Sequence, residues 1–247
     1  KGAELLKKVT EKYPCASYSP ADDQAVICRS QDEVQDAMAK SYSDSFVIKA
    51  PLGASGQNMI RVFEGTWEAW QEKWLKNTLT QQAEVLVEPL LDSVAEFSFH
   101  FDFNKEGLHD RGLTRLISDQ RGQYSASLVG DSLHDLSTDV KRFLHRDGKR
   151  LLLDTAADLR NFLFKELENQ AFDGPIGVDA MLYRRGEEYF FKPIQELNPR
   201  YTMGRLAIQL NRQRAMSGIP SLLVMDRDEK MTLEVGVEKD KQERVKS

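Results

Sequence analysis

The chain has 247 residues (28.2 kDa), a net charge of −5 and an isoelectric point near 5.5, enough to bury a substantial core as one large domain or two to three lobes. Its 34 basic residues are scattered, which argues against a nucleic-acid partner, and its longest apolar runs, such as Phe46-Val47-Ile48 and Leu151-Leu152-Leu153, fall far short of a membrane span. Cys15 and Cys28 form no CxxC pattern and the chain opens on Lys1 without a signal sequence, so free thiols in a reducing, cytoplasmic setting are expected, as is a fragment of a longer protein with residues absent internally as well.

In chain order, Gly2 to Tyr13 reads as a helix with Leu5 and Leu6 on one side, ended by Pro14. Asp32 to Met38 reads as a short helix that Ser30 can cap. Phe46 to Ala50 and Asn58 to Phe63 read as strands joined by a glycine-containing loop over 51–57. Trp67, Trp70 and Trp74 recur at helical spacing, a pattern that predicts a core stripe rather than a ligand box. Glu84 to Glu88 is a strand stopped by Pro89. Ala95 to Phe103 alternates strictly, with Phe97, Phe99, Phe101 and Phe103 on one face and Glu96, Ser98, His100 and Asp102 on a face expected to meet polar surroundings.

Strands over Gly112 to Ser118 and Gly122 to Val129 extend this into a meander. A charged connection from Asp131 to Arg150 then leads to a helix over Thr155 to Asn169, with Leu159, Phe162, Leu163 and Leu167 on its apolar side. Pro175 to Arg184 and Glu188 to Leu197 form a hairpin, Thr202 to Met216 a helix, and the segment around Asp226 to Lys230 the turn of a final hairpin before a charged tail expected to fray. This order predicts an α+β fold with two antiparallel β lobes around a cleft, rather than a doubly wound parallel sheet.

The end of the second long hairpin carries the densest chemistry. Glu196 and Asn198 are two apart, so on a strand they share a face. If Arg185 to Glu188 form a four-residue loop, Asp179 lies opposite Ile194 with Glu196 diagonal to it, and Gly177 lies opposite Glu196. Neighbouring carboxylates repel unless a cation or a donor lies between them, and an oxygen set of this kind suits a Mg²⁺ that keeps waters and phosphates as its other ligands. Taken alone, the same residues also read as a solvent-facing aspartate and a strand-ending Asn-Pro turn. Gly53-Ala54-Ser55-Gly56, taken alone, reads as a hairpin tip before it reads as a phosphate cradle, and it lacks a Walker GK[ST] ending. Lys49, at the end of an apolar strand, favours the cradle because a desolvated ammonium needs an anion. His100, His109, His134 and His145 show no metal-ligand spacing. His100 shares a face with Glu96, which allows it to line the cleft, but reads more readily as a solvated or hydrogen-bonded histidine.

Lys49 with its glycine loop, Val85 to Leu90, Glu96-Phe97-Ser98, Gly174 to Met181 and Glu196 to Arg200 occur in an order that resembles the ATP-grasp superfamily, over roughly Asp32 to Leu210. The resemblance implies two lobes with helices enclosing a nucleotide cleft. It divides the chain into 1–30 (helix and connector), 31–88 (small lobe), 89–225 (large lobe with the metal site) and 226–247 (hairpin and tail). It implies ATP and Mg²⁺ as cofactors, with Mn²⁺ as a substitute. Lys49 would contact phosphates, Gly53, Ala54, Ser55 and Gly56 would close over them, the backbone of Glu88 and Leu90 would meet the adenine edge, and Glu96 would hold the ribose. Asp179, Glu196 and Asn198 match metal-ligand positions. Arg200 matches an arginine facing the transferred phosphate in carboxyphosphate-forming members, and is the catalytic candidate together with Lys49.

The activity implied is a ligase that activates a small-molecule carboxylate as an acyl phosphate for attack by an amine or similar nucleophile, with a homo-oligomer compatible and no membrane or nucleic-acid partner. An ATP-binding regulatory module and a small-molecule kinase are the alternatives. Two departures stand out. Gly177 occupies a position where peptide-forming ligases often carry arginine, for which Arg200, Arg115 or Lys192 could substitute, although Arg115 and Lys192 also read as members of surface ion pairs. The N-terminal subdomain common in the family is not complete in this chain.

Overall fold

Two antiparallel sheets organise the chain, each in its own compact unit. The computed structural model describes residues 2–51, 58–118, 124–214, 219–225 and 231–236. The glycine loop at Gly53 to Gly56, the turn at 119–122, Met216, the turn at 226–230 and the charged tail lie outside them. One unit comprises Ser19–Asp92, and the other the described residues up to Tyr18 together with those from Ser93 onward. No helix among the described residues is long and apolar enough to cross a membrane.

The first helix, α1 (Gly2–Lys12), belongs to the larger unit and buries Leu6 and Val9 there. The smaller unit follows: β1 (Val26–Cys28), α2 (Gln31–Lys40), β2 (Phe46–Lys49), β3 (Met59–Val62), α3 (Ala69–Gln82) and β4 (Val85–Pro89), in sheet order β1-β4-β2-β3. Its core joins Val34, Phe46, Ile48, Ile60, Val62, Leu75, Val85 and Val87. Ser30 caps α2 as its sequence suggests, its hydroxyl accepting the Glu33 N–H at 3.1 Å. Cys28 is a buried free thiol, pushed up to about 11 by burial and the neighbouring Glu33, and Cys15 is also free.

The tryptophan stripe is only partly core. Helix α3 begins at Ala69, after Trp67, and buries Gln71, Leu75 and Thr78. Trp67 and Trp74 pack against that core, but Trp70 precedes Gln71 by one residue, about 100° around the helix. It is accordingly 54% exposed and gives its indole N–H to Glu68.

The larger unit contains β5 (Asp92–Asn104), β6 (Gly107–Ser118), β7 (Tyr124–Val129), α4 (Thr138–Leu144), α5 (Leu151–Leu167), β8 (Gly174–Arg185), β9 (Glu188–Asn198), α6 (Met203–Gln213), β10 (Ser221–Met225) and β11 (Met231–Val235). The sheet order is β11-β10-β7-β6-β5-β8-β9. The four phenylalanines of β5 enter one core with α1, α4, α5 and the apolar positions of β8. On the other side, Ala207 and Ile208 of α6 pack with Val129 and Leu223. The second face of β5 meets polar side chains, as expected, but under cover of α6 rather than in solvent, since Ser98 and His100 are buried. Strand β6 starts five residues before the expected Gly112, and α5 four before Thr155 because Leu151 and Leu152 are core residues. The charged connection hides α4, whose Ser137 cap and buried Val140 and Leu144 are too brief a pattern to stand out.

The hairpin register also differs from the expected one. Near the turn Arg185 faces Glu188 across Gly186-Glu187, a tighter turn than a four-residue loop, with Gly186 at φ +60°. Beyond Met181–Lys192 the pairing slips, so Asp179 faces Glu196 rather than Ile194, and Gly177 faces Asn198. Ala180 alone lies opposite Pro193, Ile194 and Gln195. Pro193 has no N–H for the ladder, and proline within a strand is tolerated at such bulges. A slip of two residues keeps every side chain on its original face.

Candidate functional site

In the larger unit the bulge sets Asp179 directly across from Glu196, both on the side of β8 away from the core positions Ile176, Val178, Ala180 and Leu182. The next pair, Gly177 and Asn198, brings an amide beside the acids. Asn198 Nδ2 donates to Asp179 Oδ2 at 2.8 Å, and Arg200 Nη2 donates to Asn198 Oδ1 at 3.1 Å. From β5, the strand bordering β8, Ser98 adds a hydrogen bond to Asp179, and Glu96 lies close enough to act on it electrostatically. Burial pushes Asp179 up to about 7; the Ser98 hydrogen bond opposes this, Glu196 and Glu96 reinforce it, and Arg200 opposes it. Glu96 itself accepts from Ser118 Oγ at 3.2 Å.

Two acids facing one another, a third nearby and one amide make a hard oxygen set with excess negative charge, which fits a divalent cation. Among the described residues no three His, Cys, Asp or Glu side chains gather as a metal cage. The set that exists therefore suits an ion that takes its remaining ligands from water or phosphate rather than one enclosed by protein.

Gly177 has a local reason. A Cβ there would lie 2.9 Å from Thr202 Cγ2 and 3.6 Å from Asn198 Cβ, so no larger side chain fits without moving the Asn198–Thr202 segment. Of the residues considered as substitutes, Arg200 is hydrogen-bonded to the acid–amide set through Asn198. Arg115 pairs with Phe97, on the core side of the sheet, and donates to the His134 carbonyl. Lys192 lies opposite Met181, on the Asp179 side, and is buried. Neither is at the surface, so the surface ion-pair reading fails for both.

In the smaller unit, Lys49 ends β2 and its ammonium is ion-paired with Glu88 on β4, whose side chain is buried. The anion that a strand lysine requires is thus supplied by the side chain of a residue expected to act through its backbone. The Leu90 N–H donates to the Ser45 carbonyl at 2.8 Å, so any contact from Leu90 to an adenine edge would have to use its carbonyl. Sequence reasoning assigned no role to Ser98. The alternation Glu96, Ser98, His100 gave its face, but the adjacency of β5 and β8 that aims it at Asp179 has no signature in either strand.

No protein-family model matches the sequence, and neither does any curated protein. Solved structures do match. N5-carboxyaminoimidazole synthetase from Staphylococcus aureus, complexed with ADP, superimposes with a TM-score of 0.55 at 12% identity over 91% of this chain and 55% of its own. The biotin carboxylase domain of Hydrogenobacter thermophilus 2-oxoglutarate carboxylase, with MgADP, ADP and bicarbonate, gives 0.54 at 13% over 84% and 40%. Biotin carboxylase from Campylobacter jejuni with β-γ-ATP gives 0.55 at 13% over 84% and 41%. The chain has an ATP-grasp fold. At such identities the likeness to these ATP-grasp structures is one of fold, and the chain spans about half their length.

Proposed function

We propose that this ATP-grasp chain uses ATP and Mg²⁺ to activate a carboxylate as an acyl phosphate for attack by an amine or similar nucleophile. The observation that carries the reading is the Asp179–Glu196 pair, placed face to face with Asn198 and Arg200 attached to it. The fold adds support, because structures sharing it hold ADP, MgADP or an ATP analogue.

In this reading Asp179, Glu196 and Asn198 hold Mg²⁺, which when bound neutralises phosphate oxygens and orients the transferred group. Arg200, an exposed guanidinium with one Nη on Asn198, offers its remaining donors to the transferred phosphate or the acyl group. Lys49 contacts a phosphate after exchanging Glu88 for it, and Glu96 holds the ribose hydroxyls. A carboxylate oxygen of the substrate attacks the γ-phosphorus and the bond to the β–γ bridging oxygen breaks, releasing ADP. The nucleophile then attacks the acyl carbon, phosphate leaves, and the nucleophile's proton passes to solvent. The chain supplies orientation and charge stabilisation, with no covalent protein intermediate.

Calorimetric titration of ATP with and without Mg²⁺ tests the site, with Glu196→Ala as control. Binding that requires Mg²⁺ and disappears in the variant is the expected result, and equal binding in the variant would reject the metal assignment. Hydroxylamine added during turnover with candidate carboxylates gives a hydroxamate from an acyl phosphate, whereas a kinase product gives none. Gly177, with no space for the arginine of peptide-forming ligases, favours a second reading as a nucleotide-binding regulatory module. Mg²⁺-dependent binding without ADP release across a broad acceptor screen would select it.

A further inference from the structure

Asn198 is joined to α6 by the short link Pro199-Arg200-Tyr201-Thr202, tightened where the Arg200 N–H meets the Asn198 carbonyl at 2.8 Å. The far end of this link is fastened to His100 of β5, which is 1% exposed. Its Nδ1 lies 3.3 Å from the Thr202 hydroxyl and its Nε2 3.0 Å from the Thr114 hydroxyl. Thr202 Oγ1 also caps α6 by accepting the Arg205 N–H at 3.2 Å. A hydroxyl that accepts one hydrogen bond still has its own proton to give, so in the tautomer protonated at Nε2 Thr202 donates to Nδ1 and Nε2 donates to Thr114.

The neutral imidazole satisfies both contacts, and burial together with the nearby Arg205 charge pushes it down to about 3. Space is equally committed. A Cβ on Gly204, in the first turn of α6, would lie 2.6 Å from His100 Nε2 and 2.7 Å from Thr114 Oγ1. Gly177 leaves room for the Thr202 methyl in the same way. Two glycines and one histidine therefore fix where α6 begins, and the link to Asn198 is too short to absorb much displacement.

We propose that His100 is a positioning residue: as a neutral imidazole it seats the N-cap of α6 and so holds the link that presents Asn198 and Arg200 to Asp179. The proposal rests on the reading of Asn198 and Arg200 as site residues, but its test does not require a bound ligand. In the ligand-free chain the side-chain amide of Asn198, hydrogen-bonded to Asp179, is a reporter visible by NMR. An asparagine at 100 places its amide oxygen where Nδ1 stands, and a glutamine places its amide where Nε2 stands. His100→Asn and Thr202→Ser should keep the Asn198 signals, whereas His100→Gln and Thr202→Val should move them toward the values of a solvated amide.

Thermal stability should rank differently, because His100→Asn opens a void and leaves Thr114 without its donor. Unmoved Asn198 signals in folded His100→Gln and Thr202→Val overturn the proposal, as does a shift that simply follows melting temperature across the four variants. Those two variants break the same Thr202–His100 contact from its two sides, so if one fails to fold the other decides. Mg²⁺-dependent ATP affinity should fall about tenfold in the same two, and affinity unchanged in both also overturns it. If the wild-type chain binds no Mg-ATP, the functional reading is what fails, and the amide signals still decide the role of His100.

Discussion

In the smaller unit Lys49 and Glu88 lie on adjacent strands with opposite charges and form an ion pair; in the larger unit Asp179 and Glu196 lie directly opposite one another with the same charge. The first arrangement supplies its own compensation. The second assembles an amide, a hydroxyl and a guanidinium around one acid and still leaves Asp179 well above the ordinary carboxylate range. A sheet that places like charges face to face is stabilised by what arrives from outside, whereas the ion pair is complete until something competes for it.

The contrast breaks most visibly at Lys49. Lys49→Met removes the Lys49 ammonium from the buried Glu88 and should cost about 2–3 kcal/mol by chemical denaturation, a range that allows for the partial exposure of the lysine. Combining it with Glu88→Leu should restore most of that loss. A loss in the double variant equal to that of Lys49→Met would mean the cost lies in packing rather than charge.

His100 sharpens the comparison with a third solution, a buried group kept neutral. Its folded value near 3 lies below the unfolded value near 6.5, so the unfolded chain takes up a proton first as the medium acidifies. The associated stability is complete above pH 6.5 and declines toward pH 3. At pH 5 the wild type should have lost about 2 kcal/mol more, relative to pH 7, than His100→Gln. Arg205 is the charged group acting on the ring, and contributions common to both proteins cancel in the difference. Parallel pH profiles for the two proteins would show that His100 is not held neutral.

The smallest effect has the opposite sign. Asp179→Asn removes one of two facing like charges and should stabilise the metal-free protein by about 1 kcal/mol while abolishing Mg²⁺-dependent nucleotide binding. Destabilisation of the metal-free protein would show that the acid is already compensated.

The legible parts of this fold are those written in single segments. Four phenylalanines in alternation gave β5 and its buried face, and Ser30 announced α2. The sidedness of Asp179, Glu196 and Asn198 was readable because alternation survives a two-residue slip, but their partners were not, since the bulge at Pro193 sets the register after the turn does. The contacts of Ser98 and His100 depend on which strands become neighbours and where α6 starts, facts distributed over segments a hundred residues apart. Trp70 shows the same limit on a smaller scale, for helical spacing fixes which residues align and not which face is turned inward.

Helix α1 belongs with β9 and α5, yet the whole smaller unit is encoded between it and the rest of its own unit. During synthesis the Leu6 and Val9 face waits for α5 and then β9, roughly 140 to 180 residues later, a delay on the order of ten seconds at ribosomal rates of about 5–20 residues per second. Ser19–Asp92 can close its own core in that interval, because its strands pair among themselves. A helix made before the smaller unit thus finds its place only after that unit is complete, and in the interval its apolar face is exposed to chaperones.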